Sequence, residues 1–191
     1  MTTVYWVRHG PTHEKSLVGH RDVPADLTDI GQIERLSAAL PQRALVVSSD
    51  LVRSIDTASA LQNGRTRLPH HAGLREFDFG DWDGLGFAEI SERWPDLSRA
   101  YWERPGDVAP PNGESWNAAA ARVSTAMTEV IAANPHRDII AVAHFGAILS
   151  QVQIAAKIAP YQALAHRIEN FSITEIQMRP TLGIARINHL A

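Results

Sequence analysis

The sequence predicts an α/β protein: a three-layer sandwich with a mostly parallel central sheet and an antiparallel edge strand. Three observations carry that expectation. Short apolar runs at 4–7, 44–47 and 139–143 are bounded by polar residues or glycine, as buried strands are. A helical pattern follows each run, and strands alternating with helices argue for a parallel sheet covered on both faces. Near the end, 172–178 and 184–189 flank Arg179-Pro180-Thr181-Leu182-Gly183, which reads as an antiparallel edge hairpin.

The elements follow in order. A long loop after the first strand leads to a helix over 28–40, with Thr28 as N-cap and Ile30, Ile33, Leu36, Ala39 and Leu40 at helical spacing. After the second strand, Ser49 or Asp50 is placed to cap a helix that carries Leu51, Ile55, Ala58 and Leu61 on one side. Residues 94–112, rich in proline and aromatics, read as one long irregular segment, of the kind that covers a functional site. The alanine-rich stretch 115–133, ended by Asn134-Pro135, is a further helix. After the third strand, 147–158 supplies Ile148, Leu149, Val152, Ala155 and Ala156 to another. There is no internal repeat and no low-complexity linker, and 191 residues with 45% hydrophobic content suit one core and one domain, 1–191.

Composition removes several function classes. A formal charge of -3 gives no broad positive field of the kind a nucleic-acid binder uses, so no nucleic-acid partner is expected and any anion recognition must be local. Absence of cysteine excludes disulfides, thiolate metal sites and cysteine nucleophiles. The first residues lack the basic start and long apolar stretch of a secretory signal, and no later run approaches a membrane span; a cytoplasmic location without membrane partner is the expectation.

In open α/β sheets ligands bind beyond the carboxyl ends of the strands. There the sequence sets Arg8-His9-Gly10 after the first strand, Arg53 in the first turn of the helix after the second, and His144 after the third. Two arginines and two histidines at one sheet edge suit a phosphoryl group, because the planar guanidinium fork matches phosphate oxygens. His9 is the candidate nucleophile, since neutral imidazole attacks phosphorus and its neighbours Arg8 and Arg53 disfavour protonation. His144 is expected to face the same group and stabilise its charge. A leaving alkoxide needs a proton, and the segment 74–84 offers carboxyls among aromatic residues, with Glu76 and Asp78 competing for the role. His70-His71 are adjacent on an extended chain and so point opposite ways, which reads as surface rather than metal site.

Five stretches in sequence order resemble the histidine phosphatase, or phosphoglycerate-mutase-like, superfamily, over nearly the whole chain. They are Arg8-His9-Gly10-Pro11-Thr12, the segment from Asp22 through Gly31, the Ser48 to Ala58 helix with Arg53, the 74–84 segment with Glu76 four residues before Gly80, and Val142-Ala143-His144-Phe145-Gly146. The resemblance implies a phosphoglycerate mutase-like fold, His9 as the phosphorylated nucleophile, and a phosphate pocket of Arg8, Arg53 and His144. It also implies Glu76 as proton donor, no metal and no nucleotide cofactor, and a small phosphate monoester as partner.

Three departures bear on the reaction. Phosphoglycerate mutases usually have asparagine where Lys15 stands and adjacent arginines in the segment that here reads Ala100-Tyr101-Trp102-Glu103-Arg104-Pro105. A glycine or other small or polar residue is commoner in the family where Phe145 stands. Pro111-Asn112-Gly113-Glu114-Ser115 is more similar to the phosphatase branch. The expected activity is therefore metal-independent phosphomonoester hydrolysis through phosphohistidine. A phosphoglycerate-type mutase, an α-ribazole 5′-phosphate phosphatase and a catalytically silent phosphate-ester binder stay open beside it, as does a homodimer through the sheet edge. His13, His20 and Arg21 read either as substrate contacts or as a solvated loop. Trp94, Tyr101 and Trp102 read either as a lid or as packing of the cover on the core.

Overall fold

The computed structural model describes residues 2–178 and 182–191. Its strands are β1 (Thr3–Arg8), β2 (Leu45–Ser48), β3 (Ile139–Ala143), β4 (Ile173–Gln177) and β5 (Gly183–His189), in the sheet order β2-β3-β1-β4-β5. β1 and β2 both pair with β3 in parallel, whereas β4 runs antiparallel to β1 and to β5. The expected parallel centre and edge hairpin are both present; Arg179, Pro180 and Thr181 of the expected turn lie outside the described residues.

The helices are α1 (Ile30–Ala39), α2 (Val52–Ala60), α3 (Phe87–Arg93), α4 (Pro95–Glu103), α5 (Trp116–Ala133), α6 (Phe145–Ala156) and α7 (Pro160–Ala163). Successive strand residues face opposite ways, so each apolar run feeds two cores. On one face Ile33 and Leu36 of α1 and Ala58 of α2 cluster with Val7, Val46, Ile140 and Val142. On the other, Val123 and Met127 of α5 and Ile148 and Leu149 of α6 cluster with Val4, Trp6, Ile139 and Ala141. Among the described residues no helix is long and apolar enough to cross a membrane.

Three local expectations are corrected. The cap of α1 is Asp29, which accepts from the Gln32 N–H at 2.9 Å; the Thr28 hydroxyl instead donates to Asp26 at 2.7 Å. Neither Ser49 nor Asp50 caps α2, because Ser49 is bonded to His144 and Asp50 to Arg75; the Val52 N–H donates to Asp22 from a distant loop, at 2.7 Å. Residues 94–112 are not irregular throughout, since Pro95 opens α4. A proline at the first helical position lacks only an N–H that would be unpaired anyway, and its fixed φ favours the turn.

One buried arginine ties the α1 and α2 ends together. Arg65, 3% exposed, donates to the carbonyls of Ser37 and Leu40 at 2.7 and 3.0 Å, of Pro41 at 3.0 Å and of Leu61 at 2.7 Å. Those of Ser37, Leu40 and Leu61 stand at the helix ends, where few backbone N–H groups remain to bond them. Arg65→Ala is expected to destabilise the fold by about 3 kcal/mol or more, since several buried acceptors lose a charged donor at once. Urea unfolding checks this; a change within ~0.5 kcal/mol, the usual effect of a surface substitution, would contradict it.

Candidate active site

The parallel register builds the site. Arg8 pairs with Ala143 and Ser48 with Val142, so the chains leaving β1, β2 and β3 emerge side by side. The His9 N–H donates to the Ala143 carbonyl at 3.1 Å, and the His9 and His144 rings meet edge-on with centroids 5.0 Å apart. Gly10 turns the chain away where there is no room for a side chain: a Cβ would lie 2.8 Å from the Phe171 ring and 2.9 Å from the Asp26 carbonyl oxygen. Its N–H donates to the Thr57 hydroxyl at 3.0 Å.

Hydrogen bonds assign both imidazole tautomers. His9 Nδ1 lies 2.7 Å from the Gly10 carbonyl oxygen, which only accepts, so Nδ1 carries the proton and Nε2 keeps the lone pair. His144 Nδ1 accepts from Arg53 Nε at 3.2 Å, so its proton sits on Nε2, which donates to the Ser49 hydroxyl at 2.7 Å. Both rings are held neutral. Burial, then the charge of Arg53, then that of Arg8, push the His9 pKa down to about 3 against a bond to Gly10 that raises it. Burial first, then His9 and Arg53, lower that of His144 as well.

Arg53 is 1% exposed and donates also to the carbonyls of Arg21 at 2.8 Å and Gly19 at 2.6 Å. Arg8 donates to the Ile168 carbonyl at 2.6 Å, and its guanidinium carbon lies 5.4 Å from the centroid of the Phe145 ring. Among the described residues the buried Arg8 Nε has no hydrogen-bond partner. A guanidinium has five N–H donors, so both arginines keep donors for an incoming anion. This cationic, N–H-rich set suits an anion rather than a metal ion.

Between Glu76 and Asp78 the structure discriminates. Glu76 lines the same cavity as Arg8, His9 and Arg53, while Asp78 turns back to accept from the Gly80 N–H at 2.9 Å. The Glu76 carboxylate accepts from the N–H groups of Phe77 at 3.0 Å and of Gly146 and Ala147 at 3.1 Å, the latter two in the first turn of α6. Gly146 permits that approach: a Cβ there would meet Glu76 Oε1 at 2.7 Å.

Two residues that sequence reasoning did not place at the site, Arg122 and Glu114, and His20, left open between substrate contact and solvated loop, hold the loop carrying Glu76. Arg122 of α5 donates to the carbonyls of Gly73, Arg75 and Glu76 at 3.0, 3.1 and 3.1 Å and is paired with Glu114. Glu114 accepts from the Asp78 N–H at 2.9 Å, and His20 Nε2 donates to the Glu76 carbonyl at 2.9 Å. Their sequence signal is slight: Arg122 is a lone cation in a helix of small and apolar residues.

The cavity has a volume of about 430 Å³. Arg8, His9, Arg53 and Glu76 form its polar end; Lys15 and Glu14 line the loop side, and Tyr101, Trp102 and Phe145 are among the aromatic residues of the rest. His144, expected to face the phosphoryl group, is fully buried and does not line the cavity, because its ring nitrogens are taken by Arg53 and Ser49. Trp94 is not part of the wall and lies 6.2 Å from Trp82. His13 pairs with Asp26 at 2.8 Å and does not line the cavity, and Arg21 pairs with Glu14 and Asp83, both at 3.2 Å.

A family model described as the histidine phosphatase superfamily (branch 1) matches residues 4–187. The glucosyl-3-phosphoglycerate phosphatase of Mycobacterium tuberculosis is 34% identical over 177 residues, 83% of this chain and 78% of the relative. The 2,3-bisphosphoglycerate-dependent phosphoglycerate mutase of Methylocella silvestris is 31% identical over 170 residues, 81% of each chain. The solved structure of Bacillus stearothermophilus YhfR superposes with a TM-score of 0.91 at 23% identity, covering 100% of this chain and 98% of that one.

The neutral state of His9 has a pH consequence. An unfolded imidazole takes up its proton near ~6.5, whereas folded His9 does so only near about 3. The unfolded chain thus binds more protons between those limits, and the stability contributed by neutral His9 is lost as pH falls through them. Ring 15N and 1H NMR on histidine-labelled protein is expected to show His9 still neutral when the pH has passed below ~6.5. A midpoint close to that value would contradict the assignment.

Proposed function

The chain belongs to the histidine phosphatase superfamily, branch 1, and is a phosphoric monoester hydrolase of that family; we propose that it hydrolyses a small phosphorylated metabolite through a phosphohistidine on His9. The observation that carries this reading is His9 itself: a neutral ring whose Nδ1–H is fixed to Gly10, leaving the Nε2 lone pair for a cavity floored by two arginines.

In the first half-reaction His9 Nε2 attacks phosphorus and forms a P–N bond while the P–O bond to the alcohol breaks. Glu76 gives its proton to the departing oxygen. In the second, water attacks phosphorus, Glu76 takes a proton from it, and the P–N bond breaks to release inorganic phosphate and neutral His9. Arg8 and Arg53 hold the phosphoryl oxygens, each charge-assisted bond contributing ~1.5 to 3 kcal/mol. Such donors act most where charge is spread over the oxygens of the transferring group. His144 contributes through Arg53, whose Nε it accepts, and through its contact with the His9 ring.

The mutase reading has one supporting observation, the 31% identity to a bisphosphoglycerate-dependent mutase. Hydrolysis is favoured because a bisphosphorylated intermediate brings a second polyanionic group. Among the described residues, beyond Arg8 and Arg53, the only lysine or arginine lining this cavity is Lys15. A silent binder, in which Phe145 beside His144 crowds the reaction, is less favoured, since the Phe145 ring borders a cavity of about 430 Å³ that has room for an ester.

Phosphate release from a panel of monoesters, including 3-phosphoglycerate and α-ribazole 5′-phosphate, with chelator present, tests the proposal. Intact protein is expected to turn over at least one ester, His9→Ala none, and Glu76→Gln with kcat lower by about 10² to 10⁴-fold. Loss of activity in chelator, full activity in His9→Ala, or isomerisation that depends on a bisphosphorylated primer would each overturn it.

A further inference from the structure

The end of the cavity away from the arginines is built of rings. Phe145 begins it beside Arg8, with 5.4 Å between the Phe145 centroid and the guanidinium carbon. Phe77 and Trp116 meet edge-on at 5.3 Å along the same cavity. At the outer part Trp102 of α4 and Phe87 of α3 lie 5.8 Å apart, tilted by 57°. Phe87 is 57% exposed although it is a large apolar side chain. The five rings of Phe145, Phe77, Trp116, Trp102 and Phe87 offer no hydrogen-bonding groups except the Trp N–H, of which that of Trp116 is given to Gln153, so the Tyr101 hydroxyl is the main polar group among the aromatic lining. The polar residues Thr12, Glu14, Lys15 and Ser16 lie on the loop side, where Glu14 is already held by Arg21 and Ser16, both at 3.2 Å.

Resting on the hydrolase reading above, we infer that this wall is a leaving-group subsite and that the preferred substrates are phosphomonoesters of aromatic or arylalkyl alcohols rather than of sugars or glycerate. A flat ring linked to the ester oxygen lies against Phe145 and reaches Trp102 and Phe87 while the phosphoryl group stays on Arg8 and Arg53. Burial of the ring and its edge or face contacts give binding that a polyol does not obtain. A cavity of about 430 Å³ is in the range of sites that hold a whole small ligand.

The test compares kcat/KM of the full chain for 2-phenylethyl phosphate with those for glucose 6-phosphate and 3-phosphoglycerate. Phenylethanol is a primary alcohol like the glucose 6-hydroxyl, so the comparison reads the ring rather than an activated leaving group. The ratio is expected to favour the phenylethyl ester by about tenfold or more, the scale on which apolar pockets discriminate. In Trp102→Ala and in Phe87→Ala it is expected to fall toward one, chiefly through a higher KM for the phenylethyl ester. Phe87 is largely exposed, so its truncation keeps the test open where loss of Trp102 impairs folding. A polar ester turned over as well or better, or a ratio that survives both substitutions, overturns the inference and leaves the hydrolase reading intact. Failure to hydrolyse any ester overturns both.

Discussion

A neutral imidazole beside two guanidinium groups is the condition on which the rest of this site depends. Protonated, His9 would have no lone pair and would repel Arg8 and Arg53; exposed to water, it would take a proton near ~6.5. Burial removes the water that stabilises the charged form, and the arginines add repulsion of the same sign. His144 is subject to the same forces and is held neutral in the same way. Beside the two arginines the ring of His9 is therefore a neutral base with a free lone pair rather than a third cation.

The fold supplies that arrangement through strand register. Arg8 and Ala143 are partners across β1 and β3, so one residue further on His9 and His144 stand ring to ring. Glu76 comes from no strand and depends on side chains to hold it. Arg122, Glu114 and His20 fix its backbone, and the first turn of α6 fixes its carboxylate. Helix N–H groups that often bind a substrate anion here bind the Glu76 carboxylate instead.

Much of this was legible in the sequence because it is written in local pattern. Continuous apolar runs marked β1, β2 and β3, and Arg8, His9, Arg53 and Glu76 were found from their position after those strands or from their resemblance to a family. What was not legible depends on pairings distant in the chain. Ser49 and Asp50 looked like caps for α2, but their side chains are taken by His144 and Arg75, 95 and 25 residues away. The holder Arg122 lies 46 residues from the Glu76 carbonyl it binds. The reading of Pro95 as part of an irregular segment hid α4, the element that brings Trp102 to the cavity.

The central claim, a covalent phosphoryl group on His9 Nε2, is tested most directly by rapid quenching in base during turnover of a 32P-labelled ester, followed by peptide mapping. A phosphohistidine mechanism predicts label on the peptide containing His9, stable in base, released by acid and missing from His9→Ala. Steady release of phosphate with no label on His9, at times short enough to resolve a single turnover, would contradict it and point to direct attack by water.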